Sequence, residues 1–154
     1  ATARLIAEGR ELSLEIVGTG PLEAELRRRI ALLDLEAAVT LTGSDPAALE
    51  RIAGADLLVL PSLYDSFPNV LLEALHTGTP AVATDAGGAR EILAAEELLV
   101  SPADPAALAA AIRRLAADPD AFRAARDHMR RRREVFDFDW VGRFEVVVQE
   151  VHGE

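Results

Sequence analysis

The chain has 154 residues, half of them hydrophobic, and carries a formal net charge of −10. Its length suits one domain with a sizeable core, and its acidity disfavours binding to nucleic acid or electrostatic docking on an anionic membrane. The absence of cysteine excludes disulfides and thiolate metal sites, and the absence of lysine excludes a lysine Schiff base and a P-loop lysine. The composition therefore predicts a single acidic globular domain.

Strands and helices alternate along the sequence. Apolar or alternating runs predict strands at residues 12–17, 39–42, 56–60, 81–84 and 97–100. Helical spacing predicts helices at residues 1–10, 22–33, 46–54, 69–77, 90–93, 105–117, 119–134 and 140–151. The pattern predicts an α/β fold, a Rossmann-like parallel sheet with helices on both faces, in one domain over residues 1–154. Residues 138–154 are assigned to a C-terminal helix, and the run Arg130–Arg133 is interpreted as a solvated helix face.

The ends of the sequence bear on its context. The chain starts at Ala1 and its one methionine is Met129, so we expect a segment of a longer protein. No apolar stretch is long enough to span a membrane and no secretory signal is recognisable, which predicts a cytoplasmic location. Peripheral association of the parent protein with a membrane stays open.

A first candidate ligand loop follows the first predicted strand. Gly18 and Gly20 could open a dinucleotide-binding fingerprint, but the third glycine is replaced by Glu23, and Pro21 lacks an amide donor. A tight turn, or a loop against which a ligand packs, are the alternatives to a dinucleotide site.

The segment from Pro61 to Leu75 holds a second candidate. A buried strand ends, a polar loop follows, and a helix begins near Asn69. Free amides in the first turn of a helix bind anions without a cation, and Pro68 supplies none, so the donors are those of Asn69, Val70 and Leu71. The sequence thus predicts an anion site at this helix start.

Two carboxylates flank the predicted anion site. Glu73 lies one helical turn after Asn69, and Asp65 lies in the loop eight residues before Glu73. Acceptors beside an anion site suit a ligand that is both phosphorylated and polyhydroxylated, such as a nucleotide sugar. The alternative is that Asp65 caps the helix and Glu73 is a solvated acid.

These residues resemble a known family. The segment 56–91 is similar to the donor-binding half of family 4 retaining glycosyltransferases, which have the two-domain GT-B fold. The matching motifs are Pro61-Ser62, Asp65 and Glu73-Ala74 with seven residues between the two acids, Gly78-Thr79-Pro80-Ala81-Val82-Ala83, and Gly87-Gly88. Upstream, Ile16-Val17-Gly18-Thr19-Gly20-Pro21 and Leu41-Thr42-Gly43 resemble two further strand ends of the family. The similarity spans about residues 5–150.

The resemblance implies a role for each matching position. Glu73 would hold the ribose hydroxyls of the donor nucleotide, and Asp65, usually glutamate in the family, would contact the donor sugar. The remaining implied substrate-binding residues lie at the helix start and in the loops that face it: Ser66, Phe67, Asn69, Val70 and Leu71 at the helix start, Gly43, Ser44 and Asp45 against the base, and Gly18 and Gly20 at the edge of the crevice. No cofactor and no metal are implied.

Departures from the family pattern limit what this chain does alone. The family's arginine–lysine pair, which neutralises the diphosphate, is missing, and so are the first strand of the sheet and the N-terminal acceptor domain. Losing a central strand would leave a gap of unpaired backbone. We therefore expect the donor-binding domain of a glycosyltransferase that transfers a sugar to a hydroxyl, inactive in isolation. The alternative is a non-catalytic association module with a degenerate nucleotide site, self-associating through the last helix or the sheet gap.

Overall fold

The structure is a computed structural model that describes residues 1–137. Helices and strands alternate as the sequence predicts, and the α/β fold class is confirmed. The elements in chain order are α1 (Thr2–Ala7), β1 (Leu14–Val17), α2 (Glu23–Leu32), β2 (Val39–Gly43), α3 (Ala48–Gly54), β3 (Leu58–Leu60), α4 (Asn69–Thr77), β4 (Ala81–Thr84), α5 (Ala89–Leu93), a 3₁₀ turn (Glu96–Leu98), β5 (Leu99–Val100), α6 (Pro105–Ala117) and α7 (Pro119–Phe136). The helix predicted over residues 140–151 lies outside the described residues.

The strands form two parallel sheets rather than one. β1 pairs with β2, with Leu14 opposite Val39, and β3, β4 and β5 form a second sheet, with Leu58 opposite Ala81. In residues 1–137 no strand joins β1 to β3. The interruption of the sheet that the resemblance implies is therefore present in these residues.

The interruption leaves apolar side chains partly uncovered. All three residues of β3 are half-buried, whereas all four residues of β4 are buried. Successive side chains of a strand point to opposite faces, so helices cover both faces of the sheet at β4. Beside the two-stranded sheet lies an apolar groove of about 190 Å³ between α1, β1, β2 and α2, and none of the predicted site residues lines it.

The core is concentrated around β4 and α4. Leu71, Ala74 and Leu75 have at most 1% of their surface exposed and follow the helical spacing that puts one face of α4 against the sheet. α7 lies across α4 and α5 and inserts the fully buried Met129. α4 ends at Gly78, which adopts a left-handed φ of 72° that suits glycine. The site-bearing helix is thus fixed on two sides.

The last predicted strand is shorter than expected. Residues Glu96–Leu98 form a 3₁₀ turn in which the Leu98 amide donates to the Ala95 carbonyl at 3.1 Å, and only Leu99–Val100 pair with β4. Because that amide closes a turn, it is not available for the ladder. The prediction of a strand over residues 97–100 was therefore wrong in its first half.

The arginine run on α7 is not simply a solvated face. Arg132 Nε donates to the Ile92 carbonyl at 2.9 Å, and Arg133 Nη1 donates to the His76 carbonyl at 3.3 Å. Both carbonyls lie in the last turns of helices, where carbonyl groups lack intrahelical partners. These arginines therefore fasten α7 to the C-terminal ends of α5 and α4.

Candidate functional site

The loop between β3 and α4 carries the first of the two predicted carboxylates. Asp65 is half-buried, and its Oδ1 accepts a hydrogen bond from the Phe67 amide at 3.2 Å. That bond closes a local turn two residues before the helix begins, a common use of aspartate in loops. α4 itself has no side-chain cap. The alternative in which Asp65 caps the helix is therefore not what the structure shows.

The first turn of α4 keeps two backbone donors open. The Leu71 amide donates to the Pro68 carbonyl at 3.1 Å, so one of the three predicted donors is already engaged. The amides of Asn69 and Val70 have no hydrogen-bond partner within residues 1–137. Orphan amides at a helix start, together with the helix dipole, attract a negatively charged group.

Glu73 lies one turn further along α4. Its side chain is half-buried, and no ion pair or hydrogen bond to its carboxylate is present among the described residues. The carboxylate is therefore free to accept hydrogen bonds from a ligand. Since α4 has no acidic residue in its first turn, the anion-attracting end of the helix is not opposed there.

The start of α2 differs in this respect. Glu23 and Glu25 lie in its first turn, and the Glu23 amide donates to the Gly20 carbonyl at 3.1 Å. Two carboxylates and an engaged amide oppose a phosphate at this helix. The geometry therefore argues against a dinucleotide pyrophosphate after Gly18 and Gly20.

The loops after β1 and β2 meet at the carboxyl end of their sheet. The Gly18 amide donates to the Gly43 carbonyl at 2.7 Å, and both glycines have positive φ, 126° and 73°. Ser44 and Gly20 are exposed beside this contact. The structure thus brings Gly18, Gly43 and Ser44 together, while the α4 start belongs to the other sheet.

The carboxylate of Asp45 is engaged by neighbouring residues. Its carboxylate accepts from the Ala47 amide at 2.8 Å and pairs with Arg51, whose other nitrogen binds Glu15 at 2.7 Å. The Ala47 hydrogen bond, followed by Arg51, holds the pKa of Asp45 below its ordinary value of 3.8. The side chain is therefore occupied, which leaves the backbone of this loop for a ligand.

The lowered pKa of Asp45 makes a prediction about pH. A carboxyl whose folded-state pKa is lowered stabilises the fold above its unfolded pKa and loses that effect as pH falls through the folded pKa. We expect Asp45→Asn to lower the thermal unfolding midpoint at pH 7, and we expect this deficit to begin shrinking near pH 4 and to vanish once pH is below the lowered pKa of Asp45. Thermal denaturation of both chains across pH measures it; a deficit that does not change with pH would contradict the ion-pair role.

Arg90, which follows the Gly87–Gly88 loop, is also paired with carboxylates. Arg90 Nε donates to Asp85 Oδ1 at 2.9 Å, and its guanidinium also pairs with Glu96. Arg90 holds the pKa of Asp85 below its ordinary range. Arg51 and Arg90 are thus each paired with two carboxylates, which already occupy their positive charge.

Two findings about residues 1–137 concern metal binding and membrane spanning. In the part of the chain that the structure describes, no three histidine, aspartate or glutamate side chains are grouped as metal ligands are. Over the same residues, no helix has the length and apolar character needed to cross a bilayer.

Two contacts of the site loop were not predicted from the sequence. The Phe67 ring meets Phe136 of α7 edge-on, with centroids 6.2 Å apart, and Gly87 and Gly88 approach the loop backbone closely. The Gly-Gly pair was a visible signal of close backbone approach, but the sequence does not say which segment approaches it. The aromatic pair left no local signal, because its partners are 69 positions apart.

Comparison with known proteins establishes the class. The model of the family described as "Glycosyl transferases group 1" matches residues 1–118. This chain belongs to that family, which confirms the resemblance at the level of the glycosyltransferases and the GT-B fold; the narrower family 4 assignment stays a prediction. The alternative of a non-catalytic association module is not favoured.

Similar proteins add detail. The chain is 34% identical over 139 residues to the GDP-mannose-dependent alpha-(1-6)-phosphatidylinositol dimannoside mannosyltransferase of Mycobacterium tuberculosis, covering 88% of this chain and 35% of that protein. It is 35% identical over 156 residues to the MMP alpha-(1->4)-mannosyltransferase of Mycolicibacterium hassiacum, covering 97% and 38%. Sucrose-phosphate synthase from Thermosynechococcus elongatus superposes with a TM-score of 0.80 at 31% identity, covering 99% and 42%. The chain thus spans well under half of these proteins.

Proposed function

We propose that this chain binds the nucleoside diphosphate sugar from which a glycosyltransferase takes its sugar. The observation that carries the proposal is the start of α4, where two open amides lie in the same segment as two half-buried carboxylates, Asp65 and Glu73. The family assignment and a GDP-mannose-dependent relative support the same class of ligand.

Each group then has a role in binding. The amides of Asn69 and Val70 donate hydrogen bonds to the diphosphate, Glu73 accepts hydrogen bonds from the ribose hydroxyls, and Asp65 accepts them from the sugar. The loops containing Gly18, Gly20, Gly43, Ser44 and Asp45 provide backbone against which the nucleotide packs. Since the net charge of the chain is −10, local amide dipoles hold the diphosphate against an unfavourable overall field.

The same arrangement would assist the reaction of the whole protein. When the bond between the sugar and the diphosphate breaks, negative charge grows on the leaving phosphate. A preorganised helix start stabilises charge that develops in the transition state. The parent protein would then transfer the sugar to a hydroxyl on an acceptor bound outside this chain, with retention at the anomeric carbon. Its cytoplasmic location, with or without peripheral membrane contact, belongs to this proposal.

A ligand panel tests the proposed function. A ligand that binds only the folded state stabilises it, and raises the unfolding midpoint, by an amount that grows with the logarithm of the ligand concentration above its dissociation constant. GDP-mannose, UDP-glucose, GDP and UDP at millimolar concentration are compared with NAD and NADP by thermal denaturation. We expect at least one nucleotide sugar and its nucleoside diphosphate to raise the midpoint, and the nicotinamide dinucleotides to leave it unchanged. The proposal would be contradicted if no nucleotide sugar raised the unfolding midpoint, or if NAD or NADP alone raised it.

A further inference from the structure

The Gly87–Gly88 turn after β4 touches the site loop backbone to backbone. A Cβ atom on Gly87 would lie 1.8 Å from the Asp65 carbonyl oxygen, and one on Gly88 would lie 2.4 Å from the Ser66 carbonyl oxygen. Gly87 also has a φ of 56°, in the left-handed region that favours glycine. Only residues without side chains allow this approach, so both glycines are needed for the loop to sit where it does.

Hydrogen bonds fix the contact. The Gly88 amide donates to the Asp65 carbonyl at 3.0 Å, and the hydroxyl of Thr84, which is 4% exposed, donates to the Ser62 carbonyl. Buried polar contacts of this kind are costly to leave unmade. The end of β4 therefore holds the site loop at two points, three residues apart.

Both the backbone carbonyl and the side-chain carboxylate of Asp65 accept hydrogen bonds. Its carbonyl receives the Gly88 amide, and its carboxylate receives the Phe67 amide at 3.2 Å. The Phe67 ring in turn packs edge-on against Phe136. The two hydrogen bonds, one to the carbonyl and one to the carboxylate, together restrict the backbone and the side-chain rotation of Asp65.

We propose that Gly87 and Gly88 are positioning residues that set the direction of the Asp65 carboxylate and thereby the affinity for the sugar of the donor. This inference rests on the proposed function and extends it to two residues outside the proposed binding set. The nucleoside diphosphate would be held by α4, whose first open amide is that of Asn69, whereas the three atoms nearest to a Cβ on Gly88 belong to Ser66 and Phe67, before the helix begins. The sugar contribution to binding should therefore depend on them while the nucleotide contribution does not.

The test separates the two contributions. Gly88→Ala is compared with Gly54→Ala, a control at the end of α3 where an added Cβ meets nothing within 4 Å. Calorimetry gives the affinities for GDP-mannose and GDP, or for UDP-glucose and UDP if the panel favours uridine. We expect Gly88→Ala to weaken nucleotide-sugar binding about tenfold and to change nucleoside diphosphate binding less than about threefold. Gly54→Ala should change neither. An equal loss for both ligands would overturn the positioning role.

A double-mutant cycle shows whether the glycine acts through Asp65. Asp65→Asn keeps the acceptor for the Phe67 amide and removes the charge. If Gly88→Ala acts through this carboxylate, it weakens nucleotide-sugar binding no further in the Asp65→Asn background, whereas additive losses would contradict the proposal. Thr84→Val, which removes one hydroxyl at nearly constant shape, replaces Gly88→Ala if that variant does not fold. If the unmodified chain binds none of the four probes, the proposed function fails and this inference falls with it.

Discussion

Replacing Glu73 by alanine is expected to weaken nucleoside diphosphate binding by about tenfold or more. The half-buried carboxylate on α4 has no partner among the described residues, so it is available to accept two ribose hydroxyls. Hydrogen bonds to a charged group contribute roughly 1.5–3 kcal/mol, and the variant loses them without a replacement. Isothermal calorimetry with the nucleoside diphosphate selected by the ligand panel measures the effect.

The control for Glu73→Ala is a variant that removes the same negative charge from a site far along the chain. Glu134→Ala removes one carboxylate from the exposed surface of α7 and alters the overall field equally. We expect it to leave affinity unchanged or slightly improved. A 2′,3′-dideoxy nucleoside diphosphate adds a second check: the unmodified chain should bind it about as weakly as Glu73→Ala binds the natural nucleotide. If Glu73→Ala discriminates between the two nucleotides as well as the unmodified chain does, the ribose role is wrong.

Removing one amide hydrogen from the helix start is the second large expected effect. Asn69→Pro deletes the backbone donor at the first helical position, where proline is favoured and the helix keeps its geometry. Pro68 has a ψ of 109°, in the extended region that a residue before proline prefers. We expect the unfolding midpoint to stay close to that of the unmodified chain while nucleoside diphosphate affinity falls about tenfold.

The control for Asn69 separates backbone from side chain. Asn69→Ala removes the exposed amide side chain but keeps the main-chain donor. Affinity for GDP or UDP, measured by calorimetry, should stay within about twofold of the unmodified chain. If Asn69→Ala weakens binding as much as Asn69→Pro, then the side chain rather than the helix amide contacts the ligand.

Local signals were sufficient to predict the element that carries the site. Leu71, Ala74 and Leu75 follow helical spacing, and Gly78 ends the helix, so α4 was predicted over its observed range Asn69–Thr77. The run Ala81–Thr84, three apolar residues and a threonine, likewise predicted the buried strand β4. Short-range patterns suffice for such elements because the residues that determine burial and the residues that end the element lie within a few positions of each other.

Contacts between distant segments could not be predicted in the same way. The engagement of the Leu71 amide by Pro68, and of the Asp65 carbonyl by Gly88, depend on how the loop is folded in three dimensions. The arginine run on α7 looked solvated because a sequence does not show where the ends of α4 and α5 lie relative to it. The structure places Asp65 before the start of α4 and Glu73 one turn inside it, and the assignment of both carboxylates to a ligand site stays a prediction.

Nuclear magnetic resonance of the backbone amides tests the central claim, that the start of α4 binds the diphosphate. The ¹⁵N-labelled chain is titrated with the nucleoside diphosphate that the panel selects, and the shifts are followed residue by residue. We expect the amide signals of Asn69 and Val70 to shift most, and to saturate with the affinity measured by calorimetry. Shifts concentrated at the start of α2 or in the apolar groove beside β1, with Asn69 and Val70 unmoved at saturation, would contradict it.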